Sequence, residues 1–425
     1  MSSINQSLAT APQRLISWGI VAILLLMPFH AFFSIFFGYL GANQALVQSW
    51  KEILILLLTL IWILFQIYRQ KLAFKVDPAN ILFIIIVFLS LLVTIVFRTN
   101  PEVVLLGIKT NLVAIAIYFI AQIPSPAKSF LKSNILWIVL IPGLLVSFLA
   151  IAQALIIPPD LLSKLGYNPE TINPRQIIDG SIAFYRSFST LGGPNQLGAY
   201  LLVPLGFAIS YGIRSKNLWV GLSSLPILAA IFLSFSRSAW IGAIIVVFLA
   251  ILLSVDKKKK IIFVVASAIF LIIAGFTVFN LSNKNQYVEN VLLHGRYFEN
   301  RIEGSDKYRL NAVTSAVEEI SKSPLGHGLG TAGPASLKSS QPVVPENWFL
   351  QIAYEIGIFG LILYVMAFSF LLGDFIRNRH KPIAASLFAI TAGLLAASMF
   401  LHVWADSTLV LIMFTLYGVY KSRTQ

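Results

Sequence analysis

"LAAIFLSFSRSAWIGAIIVVFLA", residues 228–250, sets one arginine, Arg237, between two apolar runs, with Ser234, Ser236 and Ser238 beside it. A guanidinium is costly in hydrocarbon unless it stands at a water-facing edge or holds something negative. If the two runs are membrane-crossing helices that meet at Arg237, the arginine falls at a membrane boundary. The same reading extends along the chain, because runs of about 20 apolar residues with few charges mark membrane-spanning helices. Twelve spans are expected, near 15–37, 50–68, 79–97, 102–122, 134–157, 194–213, 217–235, 237–254, 261–280, 347–372, 383–401 and 404–420.

Composition supports this reading. The chain has 425 residues, 57% hydrophobic and 11% charged, more apolar surface than a soluble fold of this size can hide. The expected fold is an all-α polytopic membrane protein of about twelve transmembrane helices, with residues 1–425 forming a single integral membrane domain. The first span reads as an uncleaved helix, since its apolar run is long and no small-x-small cleavage pattern follows. The absence of cysteine excludes disulfides, thiolate metal sites and cysteine nucleophiles. His30, His294, His327, His380 and His402 lie far apart in sequence, so neither a metal nor a cofactor is expected.

The net charge of +14 invites a nucleic-acid reading, which its distribution argues against. Alternate short loops carry Arg69, Lys71 and Lys75, then Lys128 and Lys132, Arg214 and Lys216, Lys257–Lys260, and Arg377, Arg379 and Lys381, with Lys421 and Arg423 at the end. The positive-inside rule places that set and both termini in the cytoplasm. The charge is then an orientation signal beside anionic lipid, with no nucleic acid as partner.

Two long segments, 158–193 and 281–346, fall outside in this topology and are rich in Pro, Gly, Asn and Ser. The second contains a predicted amphipathic helix near 306–322. Leu310, Val313, Val317 and Ile320 share its apolar face, Asp306 can cap it, Pro324 ends it, and Arg309 leans toward the apolar side.

Polar residues gather where even-numbered helices begin at the outer surface. Arg186 precedes Pro194, Asn195 and Gln196 at one start, Arg237 opens another, and Pro345, Glu346 and Asn347 open a third. Pro suits a helix start, and the unpaired N–H groups there favour anions. Arginine adds a planar fork that fits phosphate oxygens. Taken singly, each arginine also suits snorkelling to headgroups or capping a neighbour. Lys109 lies about two turns below the outer surface and is either functional or paired locally. Glu355, deeper in its helix, reads as a packing or pairing residue. His327 lies in "PLGHGLGTAGPAS", a loop without the lysine and strand context of a nucleotide-binding loop.

Three stretches carry a family resemblance: "FSTLGGPNQLGAYLLVPL" (188–205), "FSRSAWIGAIIV" (235–246), and the block from "YRLNAVTSAVEEISKSPLGHGLG" to "ENWFLQIAYEIGIFGLILY" (308–364). The sequence resembles the superfamily of O-antigen ligases and O-antigen polymerases, polytopic bacterial glycosyltransferases, over roughly residues 185–370. The ligase pattern is His-Asn-x-x-Leu, then six residues and Gly; Asn347, Leu350 and Gly357 occupy those places.

The resemblance implies a multi-pass protein of the bacterial inner membrane, working on its outer face. The implied donor is a glycan on an undecaprenyl diphosphate carrier, and the implied acceptor is another glycan or lipid A-core. It further implies that arginines in the large outer loop and near the cavity hold the diphosphate, and that the motif histidine activates the acceptor hydroxyl. Here Glu346 replaces that histidine, which favours polymerase or exopolysaccharide assembly over the ligase reaction. A carboxylate can also serve as base toward a sugar hydroxyl.

The expected site therefore has Glu346 and Asn347 as catalytic residues and Arg186, Arg237, Arg309, Arg296 and Arg301 as diphosphate binders. Lys109, Asn195, His327 and Glu355 are supporting candidates. The mechanism is expected to be metal-independent, with Arg forks and helix starts stabilising the leaving group. A transporter or lipid-linked glycan flippase is the alternative, for which twelve spans, Lys109 and Glu355 would be suited.

Overall fold

The computed structural model describes residues 2–69, 76–122, 127–178, 181–282, 305–339 and 341–422. It is built almost wholly of helices: α1 Ser2–Leu26, α2 His30–Tyr39, α3 Gln44–Gln48, α4 Trp50–Arg69, α5 Pro78–Val96, α6 Pro101–Gly107, α7 Val113–Ile120, α8 Ala127–Leu155, α9 Pro159–Ser163, α10 Pro194–Ser215, α11 Leu218–Leu222, α12 Ser224–Leu233, α13 Arg237–Ser254 and α14 Lys257–Ser282. After the large loop come α15 Ser305–Lys322, α16 Trp348–Arg377, α17 Pro382–Ala397 and α18 Ser407–Lys421. A short antiparallel hairpin, Ile177–Ile178 with Ser181–Tyr185, lies between α9 and α10.

Among the described residues, eight helical stretches are long and apolar enough to cross a membrane by length and composition. Leu218–Leu233, Pro382–Ala397 and Ser407–Lys421 are shorter apolar helices at the seventh, eleventh and twelfth expected positions. They fall below the roughly 20 residues that a straight crossing of the hydrocarbon needs. α14 occupies the ninth position.

Local sequence explains the boundaries. Asp77 caps α5 and Pro78 follows at its first helical position; Asn100 and Pro101 do the same for α6. Asn347 caps α16 and Asp406 caps α18. α10 lies at the centre, packed on α8, α12, α13 and α17. α17 also touches α16, which packs in turn on α5 and α15. One large apolar core runs through these helices, from Ile16 and Ile20 to Leu416 and Tyr417.

Two departures from regular helix position the polar residues. The helix formed by α6 and α7 passes through a π-turn at Ile108–Leu112, which carries Lys109 and Asn111. α16 is kinked at Ile356 and Gly357, where Gly357 takes φ +76°. A Cβ there would come within 2.6 Å of the Leu325 carbonyl carbon, so an amino acid with a side chain would meet both strain and a clash.

The segment that presses on this kink is the glycine-rich stretch after α15, expected from sequence as a plain outer loop. His327 N–H donates to the Tyr354 carbonyl (2.9 Å), Gly328 N–H to that of Glu355 (2.8 Å), and Ile358 N–H to that of Pro324 (2.9 Å). The far side of the stretch is held to α5 and the turn after it, with Leu329 N–H on Thr94 Oγ1 (3.1 Å) and Thr99 Oγ1 on the His327 carbonyl (3.0 Å). Irregular backbone is tolerated among apolar helices where protein satisfies its polar groups, and this loop meets that condition.

α15 forms where the amphipathic helix was expected, but its buried stripe is rotated. Ala316 and Ile320 are buried, whereas Leu310 and Val317 are exposed. The helix packs on α16, so a narrow stripe suffices, and Arg309 lies along it. The expected cap at Asp306 lies outside the described side chains.

Candidate active site

The turn quoted at the outset reverses the chain between α12 and α13. Phe235 adopts φ +48°, Ser236 N–H donates to Ser234 Oγ (3.2 Å), and Arg237 is the first residue of α13. Arg186 joins that turn from the hairpin. Its Nε donates to the Ser234 carbonyl (3.1 Å) and its Nη2 to Asn195 Oδ1 (2.9 Å). One guanidinium thus ties together the end of the hairpin, the first turn of α10 and the approach to α13. Arg186, Asn195 and the Arg237 turn form one group, at two helix starts whose N–H groups favour anions.

A second group forms at the start of α16. Arg309 on α15 donates from Nε to Glu346 Oε2 at 2.5 Å, with both side chains about one-third exposed, at 34% and 29%. Glu346 holds φ +49°, unusual for a residue with a side chain. The next residue fixes the local frame. Asn347 Oδ1 accepts from Phe349 N–H (2.9 Å) and Leu350 N–H (3.2 Å), while its Nδ2 donates to the Met399 carbonyl (3.1 Å). Asn347 therefore caps α16 and fastens it to the turn after α17. Trp348 N–H, donating to the Ser398 carbonyl (3.0 Å), strengthens that attachment.

A third polar group lies deeper. Glu355 is fully buried, and its carboxylate accepts from Asn111 Nδ2 (2.8 Å), Gln351 Nε2 (3.2 Å) and the backbone N–H groups of Gly330 and Ala332. Four donors commit this carboxylate to binding the glycine-rich loop and the π-turn to α16. The Gln351 amide thereby turns its oxygen to His402, whose Nδ1 lies 2.9 Å away and must carry the proton. Burial pushes His402 down from 6.5 to about 4, leaving its imidazole neutral at physiological pH. Asp406 Oδ1 accepts from Leu409 N–H (2.9 Å) at the start of α18. His327 stacks on Tyr354 with ring centroids 4.1 Å apart.

Lys109 belongs to a fourth group. Its Nζ pairs with Glu52 Oε1 (2.9 Å), which also meets Lys51 Nζ (3.3 Å), and Lys51 Nζ lies 2.8 Å from His30 Nε2. Arg296 and Arg301 lie outside the described residues.

Sequence reasoning did not single out Gln351, Asn111, His402 or Glu52 as partners. The four-residue spacing of Gln351 and Glu355 puts them on one helix face, a readable signal. The other partners come from distant parts of the chain and leave no local trace.

The fold and these groups define a polytopic α-helical membrane protein with cationic and carboxylate side chains gathered at its helix starts and connecting loops. Residues 220–365 match the family model described as O-antigen ligase. An O-antigen polymerase of Salmonella muenchen is 28% identical over 218 residues, 49% of this chain and 52% of that protein. The chain thus spans about half the length of the curated relative it matches. Over these segments the chain is similar to the O-antigen ligases and O-antigen polymerases, in agreement with the likeness expected from the sequence. The matched segment contains Arg237, Arg309, His327, Glu346, Asn347 and Glu355, and falls inside the 185–370 region of expected likeness.

Proposed function

We propose that this protein is a bacterial membrane glycosyltransferase. It moves a glycan from an undecaprenyl diphosphate carrier to a sugar hydroxyl at the outer face of the inner membrane, in a reaction of the polymerase or ligase type, with Glu346 favouring polymerase or exopolysaccharide assembly. The observation that carries this reading is the meeting of Arg309, from the outer-loop helix, with Glu346 at the position of the family's motif histidine. An anion-binding group and a proton acceptor thus stand side by side.

In the transfer, the acceptor oxygen bonds to the anomeric carbon as the bond from that carbon to the phosphate oxygen breaks. The hydroxyl proton passes to the Glu346 carboxylate, and the bonding pair leaves with the diphosphate. Arg186, Arg237 and Arg309, with the starts of α10 and α13, carry the charge of the leaving group. Asn347 acts by fixing the backbone from which Glu346 projects. No metal is required by this chemistry.

Glu346→Gln tests the reading in cells whose glycan chain growth depends on the protein. Transfer is expected to fall at least about 100-fold with membrane insertion retained, the usual scale for loss of a general base. Full activity would remove Glu346 from the mechanism.

The chain of ionisable groups His30, Lys51, Glu52 and Lys109 favours a second reading, a carrier or lipid-linked glycan flippase. Movement of a lipid-linked glycan across sealed vesicles without formation of a glycosidic bond would establish it.

A further inference from the structure

The two side chains that the transfer needs to face different substrates, Arg309 and Glu346, face each other in this structure. Resting on the glycosyltransferase reading, we propose that their ion pair is a latch that the donor opens. The diphosphate takes the guanidinium and releases the carboxylate, so the base becomes available once the donor is bound.

The geometry suits such an exchange. Arg309 reaches Glu346 through Nε, a single-point contact rather than the two-bond fork that guanidinium and carboxylate form at their strongest. Both side chains remain about one-third exposed, so the pair is open to competition from an incoming anion. Pairs of this kind are weak, and a diphosphate brings more charge and more acceptor oxygens than one carboxylate. Glu346 also sits at left-handed backbone, φ +49°, between buried Pro345 and the Asn347 cap. Its peptide is fixed while its side chain is held by Arg309, so release moves the carboxylate without moving the helix start. Arg309 rides on α15, which joins α16 through the glycine-rich stretch and its own packing. A glutamate at position 346 makes the latch, since a neutral histidine there would not hold the guanidinium in the same way.

The consequence is an order of events. Before the donor arrives the carboxylate is engaged and cannot accept a proton from a stray hydroxyl. After it arrives the same residue is freed next to the activated sugar.

A binding cycle tests this on the full-length protein in detergent, using farnesyl diphosphate as a short prenyl diphosphate probe. Glu346→Gln removes the competing charge at nearly constant shape and is expected to bind the probe about two- to fivefold more tightly, the scale of a partly exposed ion pair. Arg309→Gln is expected to weaken binding. In the Arg309→Gln background, adding Glu346→Gln should give no further gain, because no guanidinium remains to be released.

Unchanged or weaker binding by Glu346→Gln overturns the latch. A gain that persists in the Arg309→Gln background also overturns it, since a general field effect of the carboxylate would then account for the result. Absence of probe binding by the wild-type protein overturns the donor-binding reading together with the latch. Size-exclusion profiles matching wild type identify the variants as folded.

Discussion

His402 shows how much one side chain can depend on its surroundings. Burial drives its ionisation from 6.5 down to about 4, so between those values the unfolded chain binds a proton that the folded chain does not. Stability from this group is present above pH 6.5 and is lost as pH falls toward 4, amounting at most to about 3 kcal/mol. The thermal midpoint in detergent should therefore drop on acidification through that window, and His402→Gln should drop less. Equal slopes for the two proteins would show that the imidazole is not the group responsible. The sequence marked His402 as one isolated histidine among five, and its link to Gln351 became visible in the fold. Glu346 and Arg309 were legible as candidates, because helix starts and arginines announce anion chemistry. Their mutual contact was not legible, since it spans 37 positions and depends on how α15 lies on α16.

Among the elements, the kinked α16 and the loop against it carry the clearest structural expectation. Gly357→Ala would place a methyl group within 2.6 Å of the Pro324 carbonyl oxygen at a backbone angle that L-residues avoid. It is expected to cost about 1–3 kcal/mol, read as a lowered thermal midpoint, whereas alanine at Gly373 of the same helix, where a Cβ meets nothing within 4 Å, should cause no loss. Asn347→Ala should cost about 1 kcal/mol as a lost cap, and more if the Met399 carbonyl is left without a donor. Hydropathy and terminal Pro, Asp and Asn located these helices, because each signal acts within one turn of chain. The rotation of α15 and the burial of the glycine-rich stretch were not legible. Both depend on which neighbour is present, and glycines that look like loop punctuation serve here for close backbone packing.

At the scale of the molecule, the apolar runs announced a polytopic helical protein, and helices lie at the expected positions. Among the described residues eight meet the length and composition for a crossing, against the twelve expected, and three at the other expected positions are short. Crossing ability depends on neighbours and tilt as well as on length. Two assays bear on the whole protein's activity. Chain growth from purified lipid-linked donor should survive EDTA, and its abolition with rescue by added divalent cation would contradict the metal-independent mechanism. A new glycosidic bond should also form in detergent, without a sealed compartment.

The tie between Thr94 and Leu329 carries a consequence for how the protein is made. The two residues are 235 positions apart, so α5 and the π-turn are synthesised long before the segment that satisfies them. Until that segment emerges, the Asn111 amide in the nascent bundle lacks its Glu355 acceptor. A chain truncated near residue 320 should be cleared by membrane quality control, whereas co-expression of the missing C-terminal piece should protect it.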